Sequence, residues 1–156
     1  MIRVALLLAF AASAYSHLCL LAPHQRGSSA GFNTPGADNC GLTASPCGGR
    51  PLGRPSVALP SGEKVNITIQ KNLNHFNADK PGHFLVSYGS DEKMQAIGMT
   101  PDTNTSSPWI YELSVEIPRT EKHEMGIMQV QYVTSNPNAP AVFYQCADVA
   151  VVPRHH

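Results

Sequence analysis

The sequence predicts an all-β protein, an immunoglobulin-like antiparallel β-sandwich with a long irregular segment after its first strand. Three observations support this. Runs of 6–11 residues carry alternating or β-branched apolar residues and are closed by turn chemistry, enough for six or seven strands. No segment keeps a 3.6-residue apolar period for three turns. Thirteen prolines and twelve glycines in 156 residues favour short strands and many turns over long helices.

Taken in order, His17 to Ala22 is short, apolar and stopped by Pro23, which suits a first strand. Residues 24–55 are rich in Gly, Pro, Ser and Asn and contain Cys40 and Cys47. This stretch is expected to be irregular and held by disulfides rather than by a core of its own. Lys64 to Gln70 alternates polar and β-branched residues, and His83 to Tyr88 runs up to Gly89. Ile110 to Ile117 alternates and stops at Pro118; Met125 to Val133 and Val142 to Val152 complete the set. The turns between them read Asn77 to Gly82, Thr100-Pro101-Asp102 and Asn136-Pro137-Asn138.

Residues 1–16 have the form of a signal peptide. Arg3 precedes an unbroken apolar run from Val4 to Ala12, and Ala14 and Ser16 are small residues at the −3 and −1 positions of a cleavage site. Nine apolar residues are too few to span a bilayer, which needs about 20. The expectation is a secreted chain with one domain at 17–156, monomeric and without a transmembrane segment. Eleven basic and eleven acidic residues exclude a dedicated nucleic-acid binder, and 42% hydrophobic residues argue against wholesale disorder. There is no Ser-His-Asp arrangement, phosphate loop or dinucleotide fingerprint.

Four cysteines, Cys19, Cys40, Cys47 and Cys146, read as two disulfides in an oxidising compartment, with three possible pairings. A zinc site would want a closely spaced CxxC pair, and none occurs. Asn66 and Asn104 head two N-glycosylation sequons.

Cleavage after Ser16 would make His17 the first residue. An N-terminal histidine presents its α-amine and ring Nδ1 to one metal ion, and an α-amine has a reference pKa near ~8, so a metal displaces its proton easily. A second histidine opposite would give three nitrogens in a T, the histidine brace, a donor set that suits Cu(II). The candidates are His24, His75, His83, His123, His155 and His156. His75 lies in a polar loop just past a strand, where a rigid scaffold presents functional groups, and is preferred. His83, at the next strand start, is the fallback.

These residues resemble the lytic polysaccharide monooxygenases and their non-catalytic relatives. The likeness rests on His17-Leu18-Cys19, Pro23 and Arg26-Gly27 at the start, and on Ala141 to Val149 at the end. Asn39-Cys40-Gly41, Pro46-Cys47-Gly48-Gly49 and Gln70 to Phe76 are most similar to the copper-acquisition-factor-like branch. The resemblance implies copper held by His17 and His75, with Phe143 or Tyr144 as the flanking aromatic. It also implies a carboxylate near the metal, for which Asp79 and, less directly, Asp148 are the candidates. Within this frame Cys40–Cys146 and Cys19–Cys47 are the expected bridges, tying the first and last strands to the irregular segment. The implied role is copper acquisition, storage or delivery, with an extracellular glycan or a cell-surface copper transporter as partner. A copper-dependent monooxygenase acting on chitin or another glycan is the alternative, and a metal-free carbohydrate-binding or adhesive sandwich is a third. Short loops and a single tryptophan, Trp109, expected in the core, favour the carrier.

Overall fold

The structure, a computed structural model, describes residues 17–153. The expected signal peptide and His155 and His156 lie outside them. Eight strands form two sheets: β1 His17–Ala22, β2 Val57–Pro60, β3 Lys64–Leu73, β4 His83–Gly89, β5 Met94–Pro101, β6 Trp109–Glu116, β7 Glu124–Val133 and β8 Val142–Val152. One sheet has the order β1-β3-β6 and the other β2-β8-β7-β4-β5. Every pairing is antiparallel except that of β2 with β8. Among the described residues there is no α-helix, only a 3-10 turn at Asp38–Cys40. The architecture is the immunoglobulin-like sandwich that the alternation predicts.

The core lies between the sheets. Leu18, Leu20, Ile67, Ile69, Leu113 and Val115 from one sheet meet Phe84, Val86, Met128, Val130, Phe143 and Val149 from the other. Period-2 alternation puts these residues on the inner face of each strand. Cys47, Ile127 and Cys146 form a smaller cluster beneath the irregular segment.

That segment is stapled by bridges different from those expected. Cys19 is bonded to Cys40, and Cys47 to Cys146. The reason lies in register: β1 carries Cys19 under the 3-10 turn, while β8 presents Cys146 on the outer face of the other sheet, beneath residues 45–47. Side-chain amides supply the loop with bonding partners that a sheet would otherwise provide. Asn72 Oδ1 accepts from the Gly36 and Ala37 amides, and Asn72 Nδ2 donates to the Phe32 carbonyl. Gln25 Oε1 accepts from the Leu20 amide.

At one end of the sandwich the core is polar. Lys71, fully buried on β3, donates to Asp102 Oδ1 at 2.9 Å and to the Thr103 carbonyl at 2.6 Å. The Tyr132 hydroxyl donates to Asp102 Oδ2 at 2.6 Å. Phe84 stacks on Tyr132 with ring centroids 4.5 Å apart. Burial, reinforced by the bond to Asp102, pushes the Tyr132 hydroxyl well above the ordinary tyrosine pKa. Burial and Glu124 do the same to Tyr88.

Two outcomes follow. Replacing Lys71 by Met leaves the Asp102 carboxylate buried without its cation and should cost about 3–5 kcal/mol in chemical denaturation, part of it recovered in the Lys71→Met, Asp102→Leu double variant. Unfolded tyrosines ionise near pH ~10 and these two hold their protons longer in the native state, so stability should fall as pH climbs past that value. Phenolate absorbance at 295 nm should then rise together with the loss of the circular dichroism signal, and Tyr132→Phe should lessen the slope.

Candidate functional site

The register of β1 against β3 sets His17 opposite Leu73. His75 follows Leu73 by two residues, just where β3 leaves the sheet. The pairing thus brings the two histidines to one end of the three-stranded sheet. Both are almost fully buried, at 3% and 6% exposure.

His17 packs against the loop. A Cβ built on Gly41 would lie 2.7 Å from His17 Nε2 and 3.0 Å from Cδ2. The Nε2–Cδ2 edge of the ring therefore rests on the Gly41 backbone. Nδ1 is not among the ring atoms nearest Gly41. Gly41 has an ordinary φ of −92°, so its lack of a side chain serves the close approach and not the backbone conformation. The Cys19–Cys40 bridge holds this contact in place one residue away.

His75 is positioned by a short, pinned turn. Asn74 Oδ1 accepts from the Phe76 amide and Asn77 Oδ1 from the Asp79 amide, both at 3.0 Å. Asn77 Nδ2 donates to the Ser135 carbonyl at 3.1 Å. The His75 backbone lies close enough to the Tyr132 hydroxyl to oppose, in part, the upward shift that burial and Asp102 impose on it, which sets the turn beside the Asp102–Lys71 network. The His75 ring itself is less well served: its Nε2 is buried and has no hydrogen-bond partner. A buried polar atom left unpaired costs about 1–3 kcal/mol, so such an atom at a loop end points to a ligand.

The other candidates fall elsewhere. Asp79 is exposed on the turn after His75. Asp148 accepts from Arg26 Nη2 at 2.6 Å and from the Gly53 amide at 2.8 Å, a structural ion pair. Phe143 lies in the core, 1% exposed, against Tyr132. Tyr144 is half-buried, and its amide donates to the Leu42 carbonyl, next to Gly41. His83 opens β4 between Val133 and Pro101, His24 hydrogen-bonds the Gln25 carbonyl, and His123 is exposed in the turn before β7. Asn66 is exposed on β3 and Asn104 in the loop between β5 and β6. Among the described residues no cluster of three or more His, Cys, Asp or Glu side chains is placed to hold a metal.

Trp109 is not in the core: it is 47% exposed. It shares a face with Tyr111, Leu113 and Val115, whose burial falls away toward the strand start, where the opposite sheet no longer covers β6. Trp109 pairs with Lys71 in the ladder and so sits at the histidine end. Gly41 and the Lys71–Asp102–Tyr132 network carry no motif by which sequence reasoning finds them.

The site thus belongs to a β-sandwich that brings the first residue of β1 and the loop after β3 to one end. One solved structure places that sandwich more closely: the fold is like that of a lytic polysaccharide monooxygenase. A lytic polysaccharide monooxygenase AA15 from Thermobia domestica in the Cu(I) state superposes with a TM-score of 0.55, at 15% identity, over 86% of this chain and 98% of that one. An AA10 lytic polysaccharide monooxygenase from Streptomyces lividans matches with a TM-score of 0.47 at 11% identity, over 88% and 82% of the two chains. One from Kitasatospora papulosa matches at 0.42 and 15%, over 84% and 72%. No protein-family model and no curated protein sequence matches the chain. Among the described residues no helix is long and apolar enough to cross a membrane.

Because the Cys19–Cys40 bridge closes a loop of about 20 residues, replacing both cysteines by Ser should cost about 3 kcal/mol. It should also loosen Gly41 from His17. The check is faster modification of His17 by diethylpyrocarbonate, read by peptide mass mapping, with the Cys47–Cys146 bridge intact.

Proposed function

We propose that this is a secreted copper protein in which His17, made N-terminal by removal of residues 1–16, holds Cu(II) together with His75. Its role on this reading is to acquire, store or deliver the ion, with a cell-surface copper transporter as the partner class. The observation that carries the reading is the buried His75 Nε2 without a hydrogen-bond partner, at the end of the strand paired with His17. An amine, the His17 Nδ1 and a His75 ring nitrogen make an all-nitrogen donor set that suits Cu(II). The His17 edge that rests on Gly41 is the one without Nδ1, which supports this arrangement. The likeness of fold to a protein described in its Cu(I) state supports the choice of metal. Tyr144, tied by its amide to Leu42, is the aromatic neighbour we assign to the site. Two rings more than nine-tenths buried suit holding an ion better than meeting a polymer.

Trp109 favours a second reading. An exposed indole at the histidine end is a surface on which a sugar ring can stack, and in that case the bound copper would serve oxidation of a glycan.

Intact-mass analysis of the exported chain should find it beginning at His17 with an unmodified amine. In calorimetric titration it should bind one Cu(II), and His75→Ala should weaken binding at least ~100-fold, more than loss of an outer partner would. Gly41→Ala should weaken it about tenfold while Tm stays within a few degrees, because the added methyl displaces the ring. A different first residue, or unchanged affinity in His75→Ala, overturns the metal site. Oxidised oligosaccharides released from chitin in the presence of a reductant, and lost in Trp109→Ala, would establish the second reading in place of the carrier.

A further inference from the structure

A second site lies away from the histidines, between residues 24–27, residues 50–56 and the outer face of β8. It is an open cleft of about 420 Å³. Three of the four arginines among the described residues, Arg26, Arg50 and Arg54, line it, and its one carboxylate is Asp148. In a chain of zero formal net charge this is a local excess of two positive charges.

The three guanidinium groups have different duties. Arg26 is 8% exposed and committed to structure: Nε and Nη2 bond Asp148, and Nη1 donates to the Arg50 carbonyl at 3.2 Å. Asp148 is consumed by Arg26 and by the Gly53 amide, so it neutralises nothing else in the cleft. Arg50 is half-buried and anchored on one side only, Nη2 donating to Asn39 Oδ1 at 2.7 Å. Its guanidinium lies flat over Gly27, where a Cβ would come 2.5 Å from Nη1. Gly27 also has φ +82°, so the chain uses glycine here for both conformation and clearance. Arg50 is thus pre-set: Asn39 takes one of the two Nη2 hydrogens, and the other, with the parallel N–H of Nε or Nη1 on the edge Asn39 leaves open, is left to donate. Arg54 is exposed and has no hydrogen bond or ion pair.

We propose that this cleft binds an acidic saccharide, its carboxylate or sulfate group seated on Arg50 and Arg54. A planar guanidinium matches an oxyanion with two parallel hydrogen bonds, and a fixed one loses little entropy in doing so. The size of the cleft distinguishes a sugar from a bare ion. Its volume falls in the range of small-molecule sites and far exceeds one oxyanion. Apolar lining from Pro51 and Leu52, the latter 68% exposed, offers a surface for a sugar ring beside the charged group. Arg26 and Asp148 form the floor that holds the site open.

The test is calorimetric titration of the mature protein with a galacturonate tetrasaccharide, a heparin-derived tetrasaccharide, a neutral chitin tetrasaccharide and inorganic sulfate. At least one anionic tetrasaccharide should bind, and more tightly than the neutral one or sulfate. The galacturonate and heparin arms distinguish carboxylate from sulfate as the anchoring group. Affinity should drop about tenfold or more in Arg50→Ala and again in Arg54→Glu, fall in 0.5 M salt, and stay unchanged in Lys122→Ala. Arg54 has no partner to lose, so Arg54→Glu keeps the test valid even if Arg50→Ala disturbs the loop. No binding of either anionic tetrasaccharide, equal binding of the neutral one, or full affinity in Arg54→Glu would overturn the proposal. Sulfate binding as tightly as the heparin fragment would overturn its saccharide part.

Discussion

The antiparallel ladder between β1 and β3 is the constraint on which the rest depends. It decides that His17 faces Leu73, that Leu18 and Leu20 enter the core, and that Cys19 comes under the 3-10 turn. A slip of one residue would turn each of these side chains to the other face. His17 would then lose its place beside the end of β3, and Cys19 would point into the core. The inner face of β1 therefore guards the position of the histidines through hydrophobic burial rather than through any contact with them.

The polar network beneath His75 is a different kind of support. Lys71, Asp102 and Tyr132 occupy core positions at which apolar residues of similar volume would pack at less electrostatic cost. What they add is directional: Asp102 binds both the Lys71 ammonium and the Tyr132 hydroxyl, which fixes that hydroxyl close to the His75 backbone. Hydrophobic contacts constrain a turn weakly, whereas a chain of buried hydrogen bonds admits one arrangement.

Much of this was legible in the sequence. Six strands show themselves by their apolar runs and turn residues, and the sequence sets His17 at the start of the first of them and His75 in the loop just past the Lys64 strand, where the structure has them. Two strands were hidden. β2 is a four-residue edge strand in a proline-rich stretch, with only Leu59 buried, and it pairs in parallel with β8. β5 is an edge strand opposite a register shift in β4, carries Gly98, and buries nothing fully, so its pattern has no clear period. The disulfide pairing was read wrongly because it depends on which face each cysteine takes, not on spacing. Trp109 was placed inside because it stands at a strand start just before Ile110; nothing local says where the covering sheet ends. Gly41 could not be found, since its role is the space it leaves.

The two bridges have a joint mechanical effect. Cys40 is bolted to a strand of the three-stranded sheet and Cys47 to a strand of the five-stranded one. The few residues between them form a strut across the two layers, and Gly41 lies on it. Sliding of one layer over the other would have to drag that strut across the imidazole of His17. Thiol-reducing surroundings would cut the strut at both ends at once, so the spacing of the two rings is tied to the oxidation state of the medium in which the chain works.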